Sequence, residues 1–273
     1  MSDNFFLNPT PIDIVDVGGF PVLVKREDLC LHGDPKAPRL AKLRGVYQYL
    51  VSKGLHDVAV FDTRVSHAGW GVSYICRALG YPCTCFYPQL KHVQPGPQQM
   101  MSLSLGSHMH GLPGGRTGVL YAQAKKITTE TGKHMLPLGL TLAESVSEHR
   151  EIAANLPPAK TVVMAIGSGM IAGGVLLGFP GYVIAVSPGM EPTQQRERIR
   201  KQYSAIGLDN LEINFLLLSR LLIIQDPRDY YEPEEEVVAP FPCSSWYDLK
   251  AWKWLTEHVH QLKQPVIFYN IGA

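Results

Sequence analysis

TVVMAIGSGMIAGGVLLGFPGYVIAVS, residues 161–187, contains no charged side chain, and none occurs between Lys160 and Glu191. Residues 162–179 alone are long and apolar enough for a membrane-spanning helix, with Gly169 and Gly173 four apart as in a helix-packing motif. The stretch also divides into a β-branched run TVVMAI, a glycine turn GSG, a helix-like MIAGGVLLGF, a PG turn and a second β-rich run YVIAVS. Strands buried on both faces of a parallel sheet, and the helix joining them, are apolar on every side. The stretch is therefore read as strand, turn, helix, turn and strand.

Working outward, the same alternation continues. Strands are expected at 22–25, 58–62, 83–87, 161–166, 182–187 and 266–269, and helices at 42–53, 68–79, 117–131, 142–154 and 247–262. This is the pattern of an α/β fold, a parallel sheet covered by helices. In the last helix Leu249, Trp252, Leu255, Val259 and Leu262 recur at three- and four-residue steps, with Ser244 and Ser245 placed as caps. Residues 89–99, rich in Pro and Gln, and residues 226–242, with the acidic run EPEEE, read as surface loops; covering an active site is the alternative role.

Hydrophobic residues make up 45 % of the 273 positions and charged ones 18 %, which excludes a disordered chain or a coiled coil. With 25 Lys and Arg against 24 Asp and Glu, the balance of +1 provides no field to gather nucleic acid or an anionic membrane. The cysteines Cys30, Cys76, Cys83, Cys85 and Cys243 are odd in number and lack C-x-x-C spacing, so a reducing compartment is expected, without a disulfide framework or zinc cage. The N-terminus has no signal-peptide pattern, and a cytoplasmic location is expected. No metal is expected either: His108 and His110, and His258 and His260, are read as pointing apart, with no carboxylate cluster beside them.

Chemistry begins in VLVKREDLCLHGDPKAPRLAKLRGVYQYL, residues 22–50. Lys42 falls near the start of a helix, where free N–H groups and the positive dipole end disfavour its protonated form and favour a nucleophilic amine. The alternative is a solvated helix lysine. Gly167-Ser168-Gly169-Met170-Ile171-Ala172-Gly173 lies between a strand and a helix, where backbone N–H groups can hold phosphate. Alone it also fits the dinucleotide fingerprint G-x-G-x-x-A of an oxidoreductase, with Glu191 as a ribose-binding acid.

Thr10-Pro11-Ile12, Lys25-Arg26-Glu27-Asp28 and Ala41-Lys42-Leu43-Arg44 follow one another at the spacing of three motifs in the fold-type II pyridoxal-phosphate enzymes. The chain thus resembles the tryptophan synthase β-like superfamily, in its branch of aminocyclopropane-carboxylate deaminase and D-cysteine desulfhydrase. The resemblance implies two three-layer α/β domains with pyridoxal 5′-phosphate in the cleft between them: a large cofactor-binding domain of residues 1–50 and 141–273, and a small inserted domain of residues 51–140. It implies a homodimer and a small-molecule amino-acid substrate, with Lys42 holding the cofactor as a Schiff base.

By the same resemblance Ser66 lies near the substrate carboxylate and His67 occupies the family's cofactor-facing Asn position. Gly167, Ser168, Gly169, Met170 and Ile171 match the phosphate loop, with Ile171 in place of its Thr. Tyr247 matches a substrate-side tyrosine, and Ile271 replaces the hydroxyl residue near the pyridine nitrogen, leaving Asn270 or Tyr247 as substitutes. Ordinary alternatives remain for two of these: Ser66 as a helix cap and Tyr247 as a packing aromatic. The activity implied is that of a lyase or deaminase acting on a small amino acid or amino-acid-like group. The alternatives are β-replacement or another transfer on a larger amino-acid-bearing substrate, and a non-catalytic cofactor-binding protein. Substitutions at positions 67, 68, 171 and 271 point to a divergent substrate.

Overall fold

The structure, a computed structural model, describes residues 6–31, 37–90 and 93–272. Ile12–Val17 (β1) and Phe20–Arg26 (β2) form an antiparallel hairpin. Leu43–Lys53 (α1), Val58–Phe61 (β3), Ala68–Leu79 (α2), Cys83–Gln89 (β4), Pro97–Ser104 (α3), His108–Pro113 (β5), Thr117–Thr131 (α4) and His134–Met135 (β6) follow. Next come Ala143–Ala154 (α5), Thr161–Ala165 (β7), Met170–Gly178 (α6), Tyr182–Pro188 (β8), Pro192–Ala205 (α7), Asn210–Ser219 (α8) and Leu221–Asp226 (β9). Asp248–His258 (α9) and Val266–Asn270 (β10) complete the chain.

One sheet has the order β1-β2-β10-β7-β8-β9 and is parallel apart from its β1 hairpin edge; the other, β5-β4-β3-β6, is wholly parallel. The α/β class is as expected. The four-stranded sheet comes from one continuous stretch, and the six-stranded sheet from segments before and after it. Helix α1 buries Leu43, Val46 and Leu50 in one cluster with Val58 and Val60 of the smaller sheet, and its Gly45 lies against Ser145 of α5.

The uncharged stretch forms β7, α6 and β8, and every residue of β7 is buried. Among the described residues no helix is long and apolar enough to cross a membrane. The glycines of close helix packing are Gly174 and Gly178. A Cβ on Gly174 would stand 2.7 Å from the Val146 carbonyl, and one on Gly178 2.0 Å from that of Arg150, so α5 and α6 meet backbone to backbone. Gly169 and Gly173 face α7 instead, near Ile199 and Tyr203.

Several elements lay outside the sequence expectation. Helix α7 is polar around most of its circumference and buries Gln195, Ile199 and Tyr203 at four-residue steps, while α8 has apolar residues on all sides, so neither shows a strong helical stripe. Ser244 and Ser245 do not cap α9: its N-cap is Tyr247, and it is the Ser244 carbonyl that accepts from the Tyr247 and Leu249 N–H groups. His108 and His110 do not point apart, because residues two apart in a strand share a face; on β5 their ring centroids are 6.3 Å apart. Among the described residues no group of side chains could hold a metal ion.

Arg44 joins three segments that sequence separates. Its guanidinium donates to Glu27, after β2, at 2.6 Å, to Glu148 of α5 at 2.5 Å and to the Leu7 carbonyl at 3.1 Å. Thr10 also donates to Glu27. Burial opposes ionisation of Glu27, yet Arg44 holds its carboxyl below the usual range. Arg44→Met would leave a buried carboxylate without its counterion, a loss of about 3–5 kcal/mol. We expect a correspondingly lower urea midpoint; a change under about 1 kcal/mol would show that the pair carries no stability.

Candidate active site

Lys42 is the N-cap of α1 and lies where the two sheets meet. The N–H of Ala41 donates to the Ile271 carbonyl at 3.0 Å, fixing the start of α1 beside the end of β10. The Lys42 Nζ then donates to the Gly139 carbonyl at 2.8 Å and to Ser168 Oγ at 2.7 Å. Burial lowers its pKa to about 8, and the charge of Arg198 acts in the same direction. Much of the amine is therefore neutral just above physiological pH.

It faces a cavity of about 390 Å³ at the carboxyl ends of strands from both sheets, the usual place for a ligand in an α/β fold. Ser66, His67, Gly167, Ser168, Gly169, Met170, Ile171 and Tyr247 line it together with Lys42. Asn270 is not brought there. It is fully buried and its amide donates to the Pro242 carbonyl at 2.9 Å, whereas its neighbour Ile271 reaches the cavity.

The glycine turn between β7 and α6 is held from behind by a helix the sequence did not reveal. Gln195 Nε2 donates to the Gly167 carbonyl at 3.1 Å, Arg198 to the same carbonyl at 3.3 Å, and Gln202 to that of Ser168 at 2.9 Å. These residues are three and four apart on α7, one face of a helix. Gly169 has φ +88°, a left-handed conformation that suits glycine, and no side chain caps the α6 N-terminus. The first N–H groups of a helix lack internal partners, so this terminus can bind an anion. An amine biased toward neutrality and an uncapped, glycine-lined N-terminus in one cavity fit the aldehyde and the phosphate of pyridoxal phosphate.

Ser66 Oγ accepts from the Ala68 N–H at 3.1 Å just ahead of α2, whose N-cap is His67, and lines the cavity. Burial lowers the pKa of His67, whose Nδ1 lies 3.4 Å from the Arg39 carbonyl, and so favours its neutral form. Tyr247 shares a hydrogen bond with Tyr230. Burial pushes its phenol well above the ordinary value, so the hydroxyl keeps its proton. Tyr230 and Tyr231 come from residues 226–242 and line the cavity. Sequence reasoning missed Gln195, Arg198, Gln202 and Tyr230; the Gln195, Arg198, Gln202 spacing was visible but lay in a helix polar on nearly every side.

Two measurements test this geometry. The rate at which cofactor-free protein captures pyridoxal phosphate should rise with pH through about 8, as Lys42 loses its proton. Arg198→Met removes a charge that lowers the Lys42 pKa, so the midpoint should move up; a flat profile would exclude Lys42 as the capturing amine. Gly169→Asp places a carboxylate and a Cβ, 3.2 Å from Ile199, at the turn. It should weaken cofactor binding by on the order of 3 kcal/mol in a folded protein, and unchanged affinity would move the phosphate elsewhere.

No family profile matches the chain. The chain is 34 % identical over 287 aligned residues to a glycyl-dTMP PLP-dependent decarboxylase of Pseudomonas phage M6, across 97 % of this chain and 99 % of that protein. Among solved structures, an ACC deaminase homologue matches with a TM-score of 0.79 at 16 % identity, over 98 % of this chain and 90 % of the other. A hydrogen sulfide-producing enzyme from Fusobacterium nucleatum matches with a TM-score of 0.68 at 15 % identity, over 99 % and 97 %. The structural matches share the fold, and the phage enzyme shares sequence from end to end. The chain belongs to the pyridoxal-phosphate-dependent enzymes of fold type II, as a shortened and divergent member.

Proposed function

We propose that the protein is a decarboxylase that removes carbon dioxide from an α-amino acid carried on a thymidine nucleotide. The observation that carries this reading is the 34 % identity, over nearly the whole of both chains, to an enzyme named for that substrate and reaction. The reading is narrower than the lyase expected from the sequence: the bond that breaks is the one between Cα and the carboxylate, and the amino acid is carried on a larger molecule.

Pyridoxal phosphate, when bound, supplies an aldehyde for the substrate amine and a ring that accepts the electron pair left on Cα. The chain supplies the rest. Phe61, Leu138, Met170 and Ile271 give the cavity apolar walls, which hold water away from a carboxylate and favour its departure as neutral carbon dioxide. Among the described residues no Asp or Glu lines the cavity, so nothing there repels that carboxylate. Ser66, at the start of α2, is the group assigned to orient it.

One proton must then replace the lost carboxylate on Cα. Lys42 holds one over part of the neutral range, with its pKa near 8. The Tyr247 phenol, bonded to Tyr230, holds another throughout it. Solvent restores the proton, so carbon dioxide leaves, a C–H bond forms and the amine stays on the product.

Incubation with thymidylate bearing an α-amino acid should release one carbon dioxide per substrate, with a primary amine retained and no ammonia. Ammonia release would replace decarboxylation with deamination. Tyr247→Phe should keep the cofactor spectrum and thermal stability while lowering kcat by about 10²–10⁴-fold. Normal turnover would reduce Tyr247 to a packing residue.

A further inference from the structure

A second cavity, of about 550 Å³, lies beside the first. Leu138 and Arg198 line both and are exposed, so the two open side by side. One face of α7 forms a wall of the second cavity: Arg198, Lys201, Gln202 and Ala205 recur at three- and four-residue steps. That helix carries Arg196, Arg198, Arg200 and Lys201 against Glu197 alone, although the whole chain has a net charge of only +1.

The positive charge is weakly compensated where it meets the cavity. Among the described residues no Asp or Glu lines the second cavity. Arg198 makes no ion pair among them, and its guanidinium donates only to the Gly167 carbonyl. Lys201 has Glu197 no nearer than 4.0 Å. A concave surface lined by cations without acids concentrates anions.

Size points the same way. Sites for one drug-sized ligand span about 300–1,000 Å³. At about 390 Å³ the first cavity stands near the lower end of that range while having to hold a cofactor and an amino-acid group together. The rest of a nucleotide must lie beyond it. We infer that the second cavity receives the phosphate of the substrate nucleotide, paired with Lys201 and Arg198, while the amino-acid group of the same molecule lies at Lys42. The identity of the anion rests on the nucleotide reading above; the acid-free basic cavity stands without it.

The test is binding, measured by equilibrium dialysis on protein saturated with pyridoxal phosphate, so that the cofactor's own phosphate site is filled. Thymidine 5′-monophosphate should bind at least ten-fold more tightly than thymidine. Lys201→Glu should remove most of that preference, whereas Lys126→Glu, on the exposed face of α4, should leave it, with the cofactor absorbance of both variants reporting an intact site. A short oligothymidylate distinguishes the source of the phosphate: tighter binding than the monophosphate assigns the cavity a strand phosphodiester, and weaker binding a free nucleotide. Equal affinity for thymidine and its monophosphate, or equal effects of the two charge reversals, would overturn the inference. Phosphate preference in a protein that releases no carbon dioxide would instead overturn the decarboxylase reading and leave this one standing.

Discussion

The Lys42 amine is held between the Gly139 carbonyl and the Ser168 hydroxyl, and both bonds cross between parts of the chain about a hundred residues apart. Gly139 ends the connection that leaves the smaller sheet, and Ser168 belongs to the turn that begins α6 in the larger one. A side chain shared in this way ties the two units at the point where a ligand must enter. It also withdraws the amine from water, which lowers its pKa and prepares it as a nucleophile.

The supports of that amine are backbone contacts that leave little room for adjustment. Ala41 is tied to Ile271, and a Cβ on Gly272 would stand 2.6 Å from the Arg39 carbonyl, so the approach to α1 lies directly on the end of β10. A Cβ on Gly45, in the first turn of α1, would meet Ser145 backbone atoms at 2.7 Å, which seats that helix against α5. Helix α5 in turn lies against α6 at Gly174 and Gly178. Lysine, glycine turn and the C-terminal strand end thus share one rigid frame. Larger residues at such contacts cost about 1–3 kcal/mol or more through overpacking.

Within this frame the charge pattern is selective. Cations come from Lys42 and Arg198, burial biases His67 toward its neutral form, and Ser66, Ser168, Tyr230 and Tyr247 are among the hydroxyl residues lining the cavity. Such a set favours an anionic ligand. Ile271 adds an apolar wall to the cavity, and Asn270, the polar side chain next to it, is committed to Pro242.

The sequence by itself determined the α/β class and the buried β7, α6 and β8 unit, and its motifs singled out Lys42 and the glycine turn, which the fold brings into one cavity. Each of these is written locally, in hydrophobic period, in turn residues or in a short motif of fixed order. Tertiary structure alone decided that Tyr230, from an acidic loop, meets Tyr247; that Gln195, Arg198 and Gln202 hold the carbonyls of the glycine turn; and that Asn270 turns away while Ile271 faces the cavity. These depend on which faces of distant elements meet. A polar helix such as α7 shows no stripe to announce its contacts, and the direction of a side chain at a strand end is settled by what packs around it.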